Sequence, residues 1–211
     1  MELIQELDAL HLMLSNARQH AIIQPQLARY GYDDLKIQQG LDILTRIREQ
    51  QRIQNEEYAE CNLASNRLKV EFKNLRQQFT DHRTLASIAL RSDENAYLQL
   101  RLHIVQEKKM VPWLEQVKHF YDTAALHQKQ LSRFGLTKAQ LEQSKNMLNS
   151  IQEKRQQHLR HKGNAQHATH SRDLTLDSLR KWNRSFRAVA RVALEKEPQL
   201  LESLGIVVAS K

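Results

Sequence analysis

Apolar residues recur along much of the chain at steps of three and four. Ile37, Leu41, Leu44 and Ile47 begin one such stripe, and Tyr58, Cys61, Ser65, Leu68, Phe72, Leu75 and Phe79 continue it. A second stripe runs through Leu141, Leu148 and Ile151 and resumes at Leu176, Leu179, Phe186, Val189 and Ala193. This spacing keeps one face of a helix apolar. It predicts two long helices, over 34–90 and 138–194, each on the order of 85 Å if unbroken. Residues 50–55 and 155–171 hold few large hydrophobic side chains, so the middle of each long helix is polar.

Shorter helices flank the long ones. One is expected over 3–30, with Pro25 kinking it or ending it early. Another is expected over 112–134, opened by Pro112 at its first turn and straighter, because Lys129 stands where the first has its proline. Short helices close each half, over 94–100 and 198–204. Gly31 and Gly135 suit the left-handed conformation that ends a helix. Asp33 and Thr137, with Ser92 and Asp93, suit the N-cap positions of the helices that follow.

The two halves match one another without a gap. Gln26-Leu27-Ala28-Arg29-Tyr30-Gly31-Tyr32 lies over Gln130-Leu131-Ser132-Arg133-Phe134-Gly135-Leu136, an offset of 104 residues (26 to 130). At the same offset Leu44 meets Leu148, Ile47 meets Ile151, Leu75-Arg76 meets Leu179-Arg180, and Leu100 meets Leu204. A fixed offset at both ends of a unit signals a tandem duplication, with unit one at 1–104 and unit two at 105–211. The expected fold is all-α, an elongated antiparallel helical bundle made of two tandem copies of a short-helix/long-helix/short-helix unit. Pairing the long helices at their midpoints would set Glu56, Glu57 and Glu60 against His170 and Arg172, opposite charges across a polar waist.

Composition agrees with that class. Hydrophobic residues make up 40% of the chain, enough for a core, while 5 glycines and 3 prolines leave few turns for a sheet. A single cysteine, Cys61, allows no internal disulfide. The start carries Glu2, Glu6 and Asp8, which a secretory signal would not. No window reaches the roughly 18 apolar residues of a membrane span. A cytoplasmic protein without membrane contact is therefore expected. The net charge of +8 suits contact with nucleic acid or anionic surfaces.

Candidate chemistry is sparse. His158, His161, His167 and His170 fall in pairs three apart, half of a metal site on a helix face, but the first repeat offers glutamates there and no histidine to complete one. A basic run, Lys154, Arg155, Arg160, Lys162 and Arg172, is interleaved with them. The first four are candidate anion or nucleic-acid contacts. Single-strand recognition would want stacking aromatics nearby, and the nearest is Trp182. Trp113 and Trp182 are expected in the core, as is Cys61, a small buried residue with no histidine for a base. No glycine-rich phosphate loop, zinc spacing or carboxylate pair is present, so no catalytic residue, metal or cofactor is assigned.

Tyr30-Gly31-Tyr32, Phe134-Gly135-Leu136, Ala190-Arg191-Val192-Ala193-Leu194 and the stretch from Pro198 to Ile206 resemble a family of uncharacterised bacterial proteins of about this length with a duplicated helical unit. The resemblance covers most of the chain and implies neither activity nor site. The residues themselves lead to a non-enzymatic helical protein that binds a protein partner or itself. The alternatives are a nucleic-acid-associated protein using a basic helix face and a metal-binding helical bundle.

Overall fold

The computed structural model describes residues 3–207. Among them there is no strand. Seven α-helices follow in order: α1 Leu3–Gln19, α2 Ile23–Ala28, α3 Asp34–Ala89, α4 Glu94–Gln99, α5 Met110–Ala124, α6 Gln128–Leu131 and α7 Lys138–Ala193. Short 3-10 turns occupy Ala125–His127, Ser132–Phe134 and Pro198–Leu204. No described helix is long and apolar enough to cross a membrane. The chain is an all-α bundle in which α3 and α7 pack against each other.

The two long helices have 56 residues each and are displaced by 104 residues at both ends, 34 to 138 and 89 to 193. The bonds that close the turns recur at the same displacement. Tyr32 N–H donates to Leu27 and Leu136 N–H to Leu131, beside Gly31 and Gly135 at φ of 84° and 86°. Leu102 N–H donates to Tyr97 and Ile206 N–H to Leu201, beside Arg101 and Gly205, at φ of 53° and 63°. The N-caps also recur with different chemistry. Asp33 Oδ1 accepts from Lys36 N–H at 2.8 Å. At Thr137 the hydroxyl and Gln140 close a reciprocal box, Gln140 Oε1 accepting from Thr137 N–H at 2.9 Å.

The residues pack as two compact units that cut across the repeats. The terminal unit joins Met1–Glu57 with Asn164–Lys211, and the central unit is Tyr58–Gly163. Each therefore takes the opening of one repeat and the close of the other. In the terminal unit Leu10, Met13, Leu27, Ile37, Leu44 and Ile47 pack with Leu179, Ala190, Leu194 and Leu204. In the central unit the same places are taken by Leu114, Val117, Leu131, Leu141, Leu148 and Ile151, with Leu75, Ala86, Leu90 and Leu100. The helices run antiparallel within each unit. Gln51 and Gln54 of α3 meet Arg172 and Thr169 of α7 in the terminal unit. Cys61 meets His158, and Glu71 meets Lys154 and Ser150, in the central unit.

Several boundaries differ from expectation. The first helix breaks at residues 20–22, ahead of Pro25, which sits in the first turn of α2, where an amide has no partner within the helix. In the second repeat the helix begins at Met110, and Pro112 likewise occupies its first turn. It is not uniform either. It tightens to a 3-10 turn at Ala125–His127, in register with the break at 20–22 although it lacks the proline. The interruption thus belongs to this position of the repeat and not to proline alone. Pro198–Leu204 is a 3-10 helix where its counterpart α4 is α-helical. Asp93 Oδ1 accepts from Ala96 N–H at 3.0 Å to start α4, and Glu197, in the equivalent place, makes no side-chain cap.

The repeats differ where the cores differ in bulk. Trp182 stacks on Phe186 with centroids 5.3 Å apart and meets the edge of Tyr32 at 5.5 Å. Gly40 faces that indole, and a β-carbon there would stand 2.8 Å from it. The counterparts in the central unit are Gln78 for Trp182 and Ser144 for Gly40, so the smaller partner admits the larger residue. Gly40→Ala should lower stability by about 1–2 kcal/mol in a thermal or urea melt, overpacking outweighing the helix propensity gained. Gly163, in α7 with open space around its α-carbon, should respond oppositely, Gly163→Ala raising stability by about 0.5–1 kcal/mol.

Candidate interaction surfaces

The basic run of α7 does not form one face. Lys154 is half-buried, its Nζ 2.5 Å from Glu71 Oε1 and 2.9 Å from Ser150 Oγ. That bond ties α7 to α3 in the central unit and holds the Glu71 carboxyl below the ordinary carboxylate range. Arg155 is also half-buried, while Arg160 and Lys162 are exposed. At about 100° per residue, Lys162 returns to within about 20° of Arg155, but Arg160 points about 140° away. Of the four candidate contacts, Lys154 is engaged in an ion pair, Arg155 and Lys162 share a side of α7, and Arg160 points away from them.

The expected pairing of acidic and basic residues at the polar middle is also absent for Arg172. Its Nη1 donates to Gln51 Oε1 at 3.1 Å and Gln54 Oε1 at 2.5 Å, and its Nη2 lies 2.6 Å from Asp173 Oδ1. Glu56 bonds instead to Arg52 on its own helix, as does Glu49. Neighbours three and four apart reach each other without help from a partner helix. For Glu49 and Glu56 the local pair wins, and Gln51 and Gln54 take up Arg172 across the helices.

The histidines scatter. His158 is half-buried with Nδ1 4.0 Å from Cys61 Sγ, while His167 and His170 are exposed. Among the described residues no group of three or more His, Cys, Asp or Glu converges as metal ligands. Cys61 itself is half-buried rather than buried. Its histidine neighbour was not legible in the sequence, because it lies 97 residues away on the facing helix.

Trp113 is fully buried, with Phe72 and Phe79 edge-on at 4.8 and 5.6 Å, and Trp182 is partly buried in the other core. Beside Trp113 lies a buried polar contact that the sequence did not announce. His82 Nδ1 is 3.2 Å from the Tyr121 hydroxyl. Burial pushes the His82 imidazole below its ordinary pKa and Tyr121 up to about 12, so both are neutral at pH 7. Phe186 stands in the equivalent place to His82 in the terminal unit.

Two surface properties emerge only from the packing. The first concerns exposed apolar side chains. Tyr30 and Phe134, equivalent in the repeat, are 52% and 44% exposed, and Ile88 and Val192 are each 55% exposed. Ile22 with Leu126, and Val70 with Leu174, are likewise exposed in both copies. Some other exposed apolar residues have polar counterparts, as Leu12 has Gln116 and Leu63 has His167. In the terminal unit Tyr30 and Val192 line one groove with Gln26, Arg29 and Leu194.

The second property is charge. The central unit holds 18 lysines and arginines against 10 aspartates and glutamates, a net +8. The terminal unit holds 14 of each, a net of zero. Ion pairing follows the same division. Arg18, Arg48, Arg52, Arg172 and Arg180 are paired in the terminal unit. Only Lys145 and Lys154 among the described lysines and arginines are so paired in the central one.

Against protein-family models, curated proteins and solved structures, the chain has no match.

His82 generates a pH prediction. Its folded-state pKa lies below the unfolded value of about 6.5, so acid protonates the unfolded chain first. Stability is complete above that value and falls as pH drops through it. The melting temperature should decline from pH 7 to pH 5, before the carboxylates titrate. His82→Phe, which copies the terminal unit, should flatten that decline.

Proposed function

We propose that this chain is a non-enzymatic helical protein that docks a protein partner or a second copy of itself. The observation that supports the reading is the retention of four exposed apolar positions in both repeats. A single exposed leucine is ordinary on any protein surface. An apolar residue kept at the same exposed place in two otherwise diverged copies answers a demand that the core does not make. The two positions that converge in the terminal unit, Tyr30 and Val192, join an aromatic to an aliphatic side chain, a combination suited to anchoring a partner. The polar side chains, by contrast, are engaged with one another: Lys154 on Glu71, Arg172 on Gln51 and Gln54, His82 on Tyr121. Such groups support a scaffold more than a reaction.

The test uses the full chain with Tyr30→Ser, Phe134→Ser, Ile88→Gln and Val192→Gln combined. All four side chains are exposed, so the helical content and melting temperature should change little. The reading expects wild type to self-associate in sedimentation velocity or to retain a discrete partner in cross-linking pull-down, and expects the quadruple variant to lose that association. Equal behaviour of the two proteins in both assays contradicts it.

A further inference from the structure

The central unit's charge is not required by its fold. The terminal unit is built from equivalent helices around an equivalent core and has no net charge. It serves as an internal control. Eight uncompensated positive charges in one unit repel each other and oppose compactness, so their retention has to be explained by something outside the fold.

The difference between the units is sharpest on one helix face. Lys69, Lys73 and Arg76 of α3 are exposed. They lie within about 60° of one another around the helix and span about 10 Å along it. Among the described residues none of the three is ion-paired with a carboxylate. The equivalent positions on α7 in the terminal unit are Asp173, Asp177 and Arg180. There Arg180 donates to Glu6 from Nε at 2.9 Å and Nη2 at 2.8 Å. Asp173 and Asp177 add to the field that favours its charge. In the central unit the place of Glu6 is taken by Met110. Lysines thus stand where the terminal unit has two carboxylates, and the arginine has no carboxylate partner. The apolar residue beside them is common to both faces, Val70 in one and Leu174 in the other, so charge is what distinguishes them.

We propose that the Lys69–Lys73–Arg76 face of the central unit binds the phosphate backbone of duplex nucleic acid without sequence preference. Three exposed, unpaired cations at helical spacing supply the phosphate contacts that dominate such affinity. Single-strand binding would use stacking aromatics beside the cations, but Phe72, the aromatic among them, is packed toward the core with Phe79, Trp113, Phe120 and Tyr121, and the exposed Tyr58 stands about 16 Å along α3 from Lys69. An anionic membrane would take up an apolar helix face beside the charges. Of the apolar residues of α3 here, Leu68, Leu75 and Phe79 are buried, which leaves Val70 as a single exposed apolar side chain beside the cations. This site uses different residues from the apolar docking positions, so either reading stands if the other fails.

The experiment is fluorescence anisotropy of the full chain with a random-sequence duplex of about 20 base pairs, its separate strand, and phosphatidylserine vesicles, at low and moderate salt. Wild type should bind the duplex at roughly micromolar affinity and weaken steeply with salt. Lys69→Gln with Lys73→Gln and Arg76→Gln should weaken binding about tenfold or more and reduce the log–log salt slope by roughly 3. The same charge removed from the terminal unit, by Lys181→Gln, Arg184→Gln and Arg191→Gln, should change affinity by less than about twofold. Equal losses in the two triple variants would mean that only overall charge matters, and would overturn the site. Absence of duplex binding at low salt, or tighter binding to single strand or vesicles than to duplex, would overturn it as well.

Discussion

A helix of 56 residues with a single apolar stripe has to cover that stripe along its whole length, and no neighbour in this chain is long enough except the other long helix. This constraint organises the molecule. Short helices supplement the long pair locally. α1, α2 and the Pro198–Leu204 turn do so in the terminal unit, and α4, α5 and α6 in the central one. Because α3 and α7 run antiparallel, the start of each meets the end of the other. The short helices that open one repeat therefore share a core with the residues that close the other. Burial of Leu44, Ile47, Leu179 and Leu194 in one core, and of Leu148, Ile151, Leu75 and Leu90 in the other, follows from that single arrangement.

Local signals were legible in the sequence to the extent that their physics is local. The ends of the long helices, the left-handed glycines at Gly31 and Gly135, and the caps at Asp33, Asp93 and Thr137 all depend on residues within a few positions, and they were read to within a residue or so. Periodicity says which face of a helix is buried but not which helix buries it. With two equivalent repeats, the apolar stripe of the first is equally compatible with its own opening helix and with the other's. An early end of the first helix was expected at Pro25 and falls at residues 20–22, whereas the 3-10 turn at Ala125–His127 was missed because proline was taken as the cause and the second repeat has none there. Glu56, placed across from Arg172, was misread for a related reason: it has Arg52 four residues away on its own helix, and proximity in sequence outcompeted proximity in space.

For charges on a helix, closeness in sequence is not closeness in space. Lys154, Arg155, Arg160 and Lys162 are close in sequence, yet only Arg155 and Lys162 share a side of the helix, and Glu71 takes Lys154. Lys69, Lys73 and Arg76 span a similar length of sequence, and all three share a face. Their significance appears only when the repeat is laid on the structure, with Asp173, Asp177 and the Arg180–Glu6 pair in the same places. Duplication has left one architecture in two surface forms. One form is charge-balanced and internally paired, and the other is cationic with few ion pairs. Both keep the same few apolar positions open.

The claim on which all of this rests is that each compact unit is assembled from both repeats. Glu6 distinguishes the possibilities, since its partner is Arg180 in the structure, whereas a repeat folded on itself would offer the equivalent Arg76. In the full chain with Cys61→Ala, Glu6→Cys can be combined with Arg180→Cys or with Arg76→Cys and treated with a short bismaleimide. Efficient intramolecular cross-linking of the Glu6/Arg180 pair, with little for Glu6/Arg76, is the result the exchanged arrangement predicts. The reverse pattern would show that each repeat packs on itself and would contradict it.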